Sequence, residues 1–424
     1  MRKDLRALTY HRDGADWLEQ EEPNGWTTVR TLLKAAPTGT TGWDDDEPAI
    51  DPAAELLRSA YRLEAEGHQV VHAALARAVE NLGIDRPVAV YQVEGGIEAN
   101  AGLLTLPEEL AIVLSGNLIP LLSENGLSAV FGHELAHHLL WSMDDGRFRV
   151  ADRLLELLSV DAATPPAQLE TFRRYRLATE LFADRGAVVA CGDLLSAVGA
   201  LVTTVTGLAD VDPAGYLARA EAADPLAGSR AASHPETVLR AWALGRWHAE
   251  LIAEPDAVPV VDPQPAGEAA ARALLRPHLD LDALDLFDRA DLERVTRNLI
   301  EDLLLDREWH SESVLAQVRQ FFPGLSPVPS ASGPGSDVWG SPGFEVRALP
   351  DGASAQTRRY LGYVLLDLIT ADPDLDLELA VARAVRFAEQ VGLGPDLDRL
   401  ARAELQLSAA AWTRIGAAAK AVVR

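Results

Sequence analysis

The stretch Phe131-Gly132-His133-Glu134-Leu135-Ala136-His137-His138-Leu139-Leu140 contains the pattern His-Glu-x-x-His. On an α-helix, His133 and His137 lie one turn apart and project from the same face. Two neutral imidazoles at this spacing suit a tetrahedral zinc ion and leave positions for another ligand and for water. Glu134 lies beside that face, where it can accept a proton from the water instead of binding the metal. The pattern predicts a zinc-binding helix with a general base beside it.

A second motif, Ala178-Thr179-Glu180-Leu181-Phe182-Ala183-Asp184, favours the zinc site over a chance match. A five-residue pattern can arise by chance, and its histidines are then ordinary residues of an amphipathic helix. Glu180 and Asp184 are again one helical turn apart. Glu180 can complete a His-His-Glu zinc site. Asp184 can accept the second N–H of a ligating histidine, which fixes the tautomer and raises the basicity of the ring.

These two motifs resemble those of the gluzincin metallopeptidases, and within them the family that contains HtpX and the CAAX prenyl proteases. The similarity covers about residues 55–255. Besides the two motifs, it is carried by Glu98-Ala99-Asn100-Ala101, by residues 106–115, and by Ser233-His234-Pro235-Glu236 followed by Arg240.

The resemblance implies a mostly helical α+β zinc peptidase domain with a small sheet. It also implies one Zn²⁺ per chain, bound by His133, His137 and Glu180, with Asp184 supporting a histidine ligand. The expected activity is that of a metalloendopeptidase, which hydrolyses peptide bonds of a protein or peptide substrate with Glu134 as the base. No serine or cysteine nucleophile is needed.

Two further roles follow from the resemblance, each with an alternative. Gly102, Leu103 and Leu104 belong to a candidate edge strand that pairs with an extended substrate, as in β-augmentation; the alternative is a structural strand without a ligand. His234 either enters the cleft to stabilise the oxyanion or positions the local fold.

Composition limits the possible partners and compartment. The chain has 424 residues, 48% hydrophobic content and a net charge of −26. This acidity argues against nucleic acid and against an anionic membrane surface, because both attract basic patches. Cys191 is the only cysteine, so no intrachain disulfide forms, and the charged N-terminus has no apolar signal core. We expect a cytoplasmic protein.

The apolar segment 186–209 is the best candidate for a membrane span. It is rich in small residues and interrupted by Asp193, so its hydrophobicity is modest. We therefore expect no membrane insertion, and instead a continuation of the glutamate helix into a second buried helix.

The pattern of polar and apolar residues predicts the local structure. Residues 52–82 have helical periodicity, and short strands are expected at 88–93, 103–106 and 110–114. Helices are expected at 360–369, 377–390 and 397–423. The run 365–372, with Glu378 after it, resembles the TerB-type helical domains of tellurite-resistance proteins over a short stretch.

Composition also predicts the domain organisation. An irregular N-terminal arm (1–50) precedes the zinc peptidase domain (51–255). Four prolines between residues 255 and 265 form a linker, which leads into a helical extension (266–322). A second linker rich in Pro, Ser and Gly (323–344) precedes a C-terminal helical domain (345–424).

Two alternatives to an active peptidase remain open at this stage. One is a catalytically inactive scaffold that binds an unidentified protein partner through its C-terminal helices. The other is a latent enzyme whose accessory domain recruits substrate or covers the cleft. The complete motif argues against decay, because an inactive relic tolerates the loss of Glu134.

Overall fold

The computed structural model of the chain describes residues 5–35, 52–94, 99–159, 164–222, 229, 235–253, 267–275, 284–325 and 355–421. The chain divides into two compact units, Met1–His278 and Leu279–Arg424. Each has its own buried apolar cluster. Helices predominate in both, and the sheet of the described residues lies in the first unit. The predicted class, mostly helical α+β with a small sheet, is confirmed.

The first unit is built largely from helices. These are α1 (Thr9–Glu21), α2 (Pro23–Ala35), α3 (Pro52–Ser59), α4 (Gln69–Leu82), α5 (Leu118–Leu121), α6 (Glu124–Ser142), the 3₁₀ helix Met143–Gly146, α7 (Arg147–Leu158), α8 (Pro166–Cys191), α9 (Leu194–Thr206), α10 (Pro213–Ala222), α11 (Thr237–Ala253) and α12 (Glu268–Leu275).

Four strands form a mixed sheet in the order β1-β2-β4-β3. They are β1 (Ala60–Arg62), β2 (Val88–Val93), β3 (Asn100–Thr105) and β4 (Leu110–Ser115). Strand β2 is parallel to β4, whereas β1 and β3 pair antiparallel with their neighbours. Strands β2 to β4 occur where the sequence predicts strands, and β3 lies at one edge of the sheet.

The prediction of helical structure throughout residues 52–82 is wrong at its centre. Helices α3 and α4 are separated by β1, whose Tyr61 lies opposite Gln92 of β2. A three-residue strand is stabilised by this pairing with a distant segment, and a local periodicity does not reveal it.

The prediction of an irregular N-terminal arm is wrong for its described part. Its described part, residues 5–35, forms α1 and α2. Leu8, Leu18 and Trp26 are buried in the main apolar cluster of the first unit. The arm is therefore an integral layer of this unit.

The apolar segment after Glu180 forms two helices, as predicted. Helix α8 ends at Gly192, which has a left-handed backbone (φ 74°). Asp193 then caps α9 by accepting a hydrogen bond from the Ser196 N–H. Among the described residues, no helix combines the length and apolarity needed to cross a membrane.

Helices α6 and α8 approach each other closely at two glycines. A Cβ on Gly132 would overlap that of Ala190 and lie 2.9 Å from the Gly186 carbonyl oxygen. A Cβ on Gly186 would overlap that of Ala136 and lie 3.0 Å from the Gly132 carbonyl oxygen. Only residues without side chains fit here, so these positions fix the separation of the two helices.

The second unit is helical throughout its described part. It contains α13 (Leu286–Leu303), the 3₁₀ helix Arg307–Trp309, α14 (Glu312–Phe321), α15 (Ala355–Thr370), α16 (Leu377–Val391), α17 (Gly394–Glu404) and α18 (Ala409–Ala421). The single helix predicted for 397–423 is divided, and Gln406 has a positive φ of 47° between α17 and α18.

The cores that the described helices share do not follow the predicted domain boundaries. Helix α12 of the proposed extension 266–322 contributes Leu274 to the core of the first unit. Trp309 and Val314, from the same proposed extension, share a core with Leu361 and Phe387. The predicted linker 323–344 lies outside the described residues from 326 onward, and the described helices before and after it share one core.

We predict that Gly132→Ala and Gly186→Ala each lower the free energy of unfolding. Overpacking of a close contact costs about 1–3 kcal/mol, which exceeds the gain of about 1 kcal/mol in helix propensity. Urea unfolding measures the difference. Gly126→Ala in α6 is the matched control, because the nearest atom to its added Cβ is the Leu122 Cδ2 at 3.2 Å, the end of a movable side chain. Equal stability of all three variants would contradict the proposed constraint.

Candidate metal centre

Helix α6 presents His133 and His137 on one face. Their ring centroids are 5.0 Å apart, and the side chains are only 17% and 14% exposed. The helix is capped at its start by Ser123, whose hydroxyl accepts a hydrogen bond from the Gly126 N–H. Regular helix from this cap onward fixes the direction of both imidazoles.

Helix α8 brings the Glu180 carboxylate to both imidazoles. Glu180 Oε2 lies 3.5 Å from His133 Nε2, and Glu180 Oε1 lies 3.7 Å from His137 Nε2. One ligand atom from each of the three residues lies within 4.8 Å of the others. A tetrahedral zinc site with bonds of about 2.0–2.1 Å separates its ligand atoms by about 3.4 Å, so the donor set and its spacing fit this ion.

Asp184 and Arg240 support this group. The Asp184 Oδ1 lies 3.2 Å from His133 Nδ1, one helical turn beyond Glu180. Arg240 of α11 donates two hydrogen bonds to Asp184, from Nε at 2.8 Å and from Nη2 at 2.6 Å. Its Nη2 also lies 3.5 Å from Glu180 Oε2. The guanidinium therefore fixes the carboxylate that in turn orients His133.

The charges of this buried group favour a cation. Glu180 and Asp184 carry two negative charges, and Arg240 neutralises only one. Burial lowers the pKa of His133, but hydrogen bonds and charges from Asp184 and Glu180 raise it to about 10. Burial lowers the pKa of His137 to about 4. His133 therefore holds a proton readily in this site, and binding of a cation at its Nε2 atom would displace that proton.

Glu134 lines the same cavity as the three candidate ligands. The cavity has a volume of about 240 Å³. The side chain of Glu134 is nearly buried, and this burial raises the pKa of its carboxyl group. A carboxylate with a raised pKa beside a cation site suits a general base.

Strand β3, which lies at one edge of the sheet, packs against α6. Its first residues, Asn100 and Ala101, line the cavity. Gly102, Leu103 and Leu104 follow along the strand beyond the cavity lining.

Two residues named by the resemblance, Glu98 and His234, lie outside the described residues. The signature is described again from Pro235. The carbonyl of Glu236 accepts hydrogen bonds from the N–H groups of Leu239 and Arg240 at the start of α11. The described end of the signature therefore serves to place Arg240.

Sequence reasoning gave no role to His11, although it lies behind the metal centre. It is fully buried in α1, and its Nε2 lies 3.2 Å from Thr179 Oγ1, next to Glu180. Thr179 already donates its hydroxyl proton to the Tyr175 carbonyl oxygen, so His11 must donate from Nε2. Burial lowers the pKa of His11 to about 3, which keeps the ring neutral. A contact between residues 168 positions apart in the sequence cannot be predicted from a short motif.

Comparison with known families agrees with this geometry. Residues 65–248 match peptidase family M48. The matched region contains both candidate histidines, Glu134, Glu180 and Arg240. This match supports a metallopeptidase of the M48 family, whose members are zinc enzymes. No curated protein and no solved structure matches the chain.

We predict that Arg240→Ala weakens zinc binding about 10–100-fold, the range expected when a partner of a metal ligand is lost. The variant leaves the Asp184 carboxylate buried beside His133 without its paired cation, which also destabilises the fold by about 3–5 kcal/mol. Zinc affinity is measured by competition with a chelating dye.

The matched control is Arg246→Ala in the same helix, because this side chain is exposed. Arg240→Lys should recover part of the affinity, since lysine restores the charge but not the two-pronged hydrogen bond. Native zinc affinity in Arg240→Ala would rule out the supporting role.

Proposed function

We propose that this protein is a zinc-dependent metalloendopeptidase. The observation that carries the proposal is the convergence of His133, His137 and Glu180 on one cavity that Glu134 also lines. The M48 match suggests zinc peptidase activity for the same region.

His133, His137 and Glu180 are the proposed ligands of one Zn²⁺. When bound, the ion supplies Lewis acidity, which activates water and polarises a carbonyl group. The chain holds the ligands in register through α6 and α8. Asp184 accepts the Nδ1–H of His133 and so presents Nε2 as the donor atom, and Arg240 keeps Asp184 in place.

Glu134 is the proposed general base. Its carboxylate takes a proton from the attacking water and transfers it to the leaving amine nitrogen. Its near-complete burial removes competing bulk water and raises its pKa, which makes it a stronger base. No covalent intermediate with the chain is required.

The substrate is proposed to be a polypeptide in extended conformation. One edge of β3 pairs with no other strand of the described residues, and Gly102, Leu103 and Leu104 on this edge can pair with the backbone of the substrate. An added Cβ at Gly102 would have no heavy atom of the described residues within 4 Å, so the face of β3 is open at this position. His234 is proposed to stabilise the oxyanion.

We predict one zinc ion per native chain and its loss in His137→Ala, because the variant removes one of three protein ligands. Elemental analysis of purified protein provides the measurement. His138→Ala, which removes the next histidine of the same helix, is the control and should keep its zinc. Equal zinc contents of His137→Ala and the native chain would show that the ligands are elsewhere.

We predict that Glu134→Gln keeps the fold and the zinc but loses at least about 100-fold in turnover, since the amide cannot accept the proton. Hydrolysis of a casein-like substrate is compared with zinc content for each protein. Glu124→Gln in the first turn of α6 is the control. A native chain that binds zinc and cleaves nothing would favour the inactive scaffold instead, whereas near-native turnover of Glu134→Gln would refute the role of the base.

A further inference from the structure

One wall of the cavity is formed by a single face of α9. The lining residues of this helix are Ala197, Ala200, Leu201, Thr204 and Val205. Their spacing of three and four residues is that of one helical stripe. Helix α9 therefore turns the same face to the metal centre along most of its length.

The residues of this wall are more deeply buried toward the start of α9. Ala197 and Ala200 are almost fully buried, each 3% exposed, and form its floor. Thr204 is half-buried, and Val205 at the mouth is 61% exposed. The small side chains therefore lie at the bottom and the larger ones toward solvent, which leaves a recess open to the cleft.

The recess is apolar. No charged residue occurs between Asp193 and Thr206. The Thr204 hydroxyl donates to the Ala200 carbonyl oxygen at 2.9 Å, so its proton is used within the helix. Leu244 of α11 lines the cavity as well. A charged side chain that packs against α9 would lose hydration and find no charged partner on this helix, since the charged groups of the cavity, such as Glu134 and Arg240, belong to other helices.

The size of the cavity suits one side chain. The whole cavity, which includes the metal centre, measures about 240 Å³. A cavity of about 150 Å³ accommodates a benzene molecule, so the whole cavity has room for a branched aliphatic group of the substrate.

We propose that the α9 recess is a specificity pocket that takes an aliphatic side chain, of the size of leucine, from the substrate residue next to the cleaved bond. This inference rests on the proposed function. Ala200 sets the depth of the pocket and Leu201 its width, so the two residues determine which substrates are selected.

The test measures binding of a metal-chelating probe to the full-length, zinc-loaded chain. The probes are two peptide hydroxamates that differ only in the side chain beside the hydroxamate, isobutyl in one and methyl in the other. Isothermal titration gives both dissociation constants for the native chain, for Ala200→Leu and for Leu195→Ala. Leu195 is the control, because it lies on α9 outside the cavity lining and is 41% exposed.

The native chain and Leu195→Ala should bind the isobutyl probe at least about 10-fold more tightly than the methyl probe, as expected for a hydrophobic pocket. In Ala200→Leu the added side chain fills the recess, and the preference should fall to about threefold or less. An unchanged preference in Ala200→Leu, or no preference in the native chain, overturns the proposal.

Leu201→Ala widens the pocket instead of filling it, and this variant tests the proposal if Ala200→Leu does not fold. Its wider recess should improve binding of a benzyl hydroxamate relative to the isobutyl probe by about fivefold or more, and an unchanged ratio overturns the proposal.

Failure of the proposed function can be distinguished from failure of the pocket proposal. A zinc-bound chain that cleaves casein without an isobutyl preference refutes the pocket alone, whereas a preference without hydrolysis refutes the peptidase activity alone. A chain that binds no zinc refutes both.

Discussion

The closeness of α6 and α8 is the constraint on which the candidate centre depends. Gly132 packs beside His133, and Gly186 follows Asp184 by half a turn, so the contact and the donor atoms occupy the same part of each helix. Any side chain at either glycine would push the helices apart. A metal bound by residues of both helices needs its ligand atoms at a defined separation, so the close contact at the two glycines supports the candidate site.

Bringing these helices together buries charge, and that burial would be unfavourable without further partners. Asp184 and Glu180 are nearly inaccessible, and burial opposes their ionisation. Arg240 and His133 counter this effect through hydrogen bonds and charge. A buried ionic group of this kind contributes little net stability. Instead, the arrangement allows α6 and α8 to hold the donor atoms in place for a cation, with the support of Arg240 from α11.

The sequence predicted the parts of this site that depend on helical spacing. His133, His137, Glu180 and Asp184 could be assigned to helix faces because their separations equal one turn, whereas the mostly helical α+β fold was implied by the resemblance to the gluzincin metallopeptidases. What it could not predict depends on contacts between distant segments. The strand β1 exists through its pairing with β2, and the core shared by Trp309 and Phe387 spans a stretch with linker composition. Composition describes the connecting chain and not what packs on either side of it.

Helix α9 shows the same limit at the level of function. Its uncharged sequence predicted a buried helix, and six of the thirteen residues of α9 are buried. Yet the face that bears Ala197, Ala200 and Leu201 borders the cleft. Apolar composition is the same for a helix that fills a core and for one that lines a pocket, because both exclude water. The positions of the side chains distinguish a helix that fills a core from one that lines a pocket. Within the site, α6, α8 and α11 hold the charged groups, whereas α9 supplies the apolar wall. Changes at Ala200 can therefore alter selectivity while the metal-binding residues stay the same.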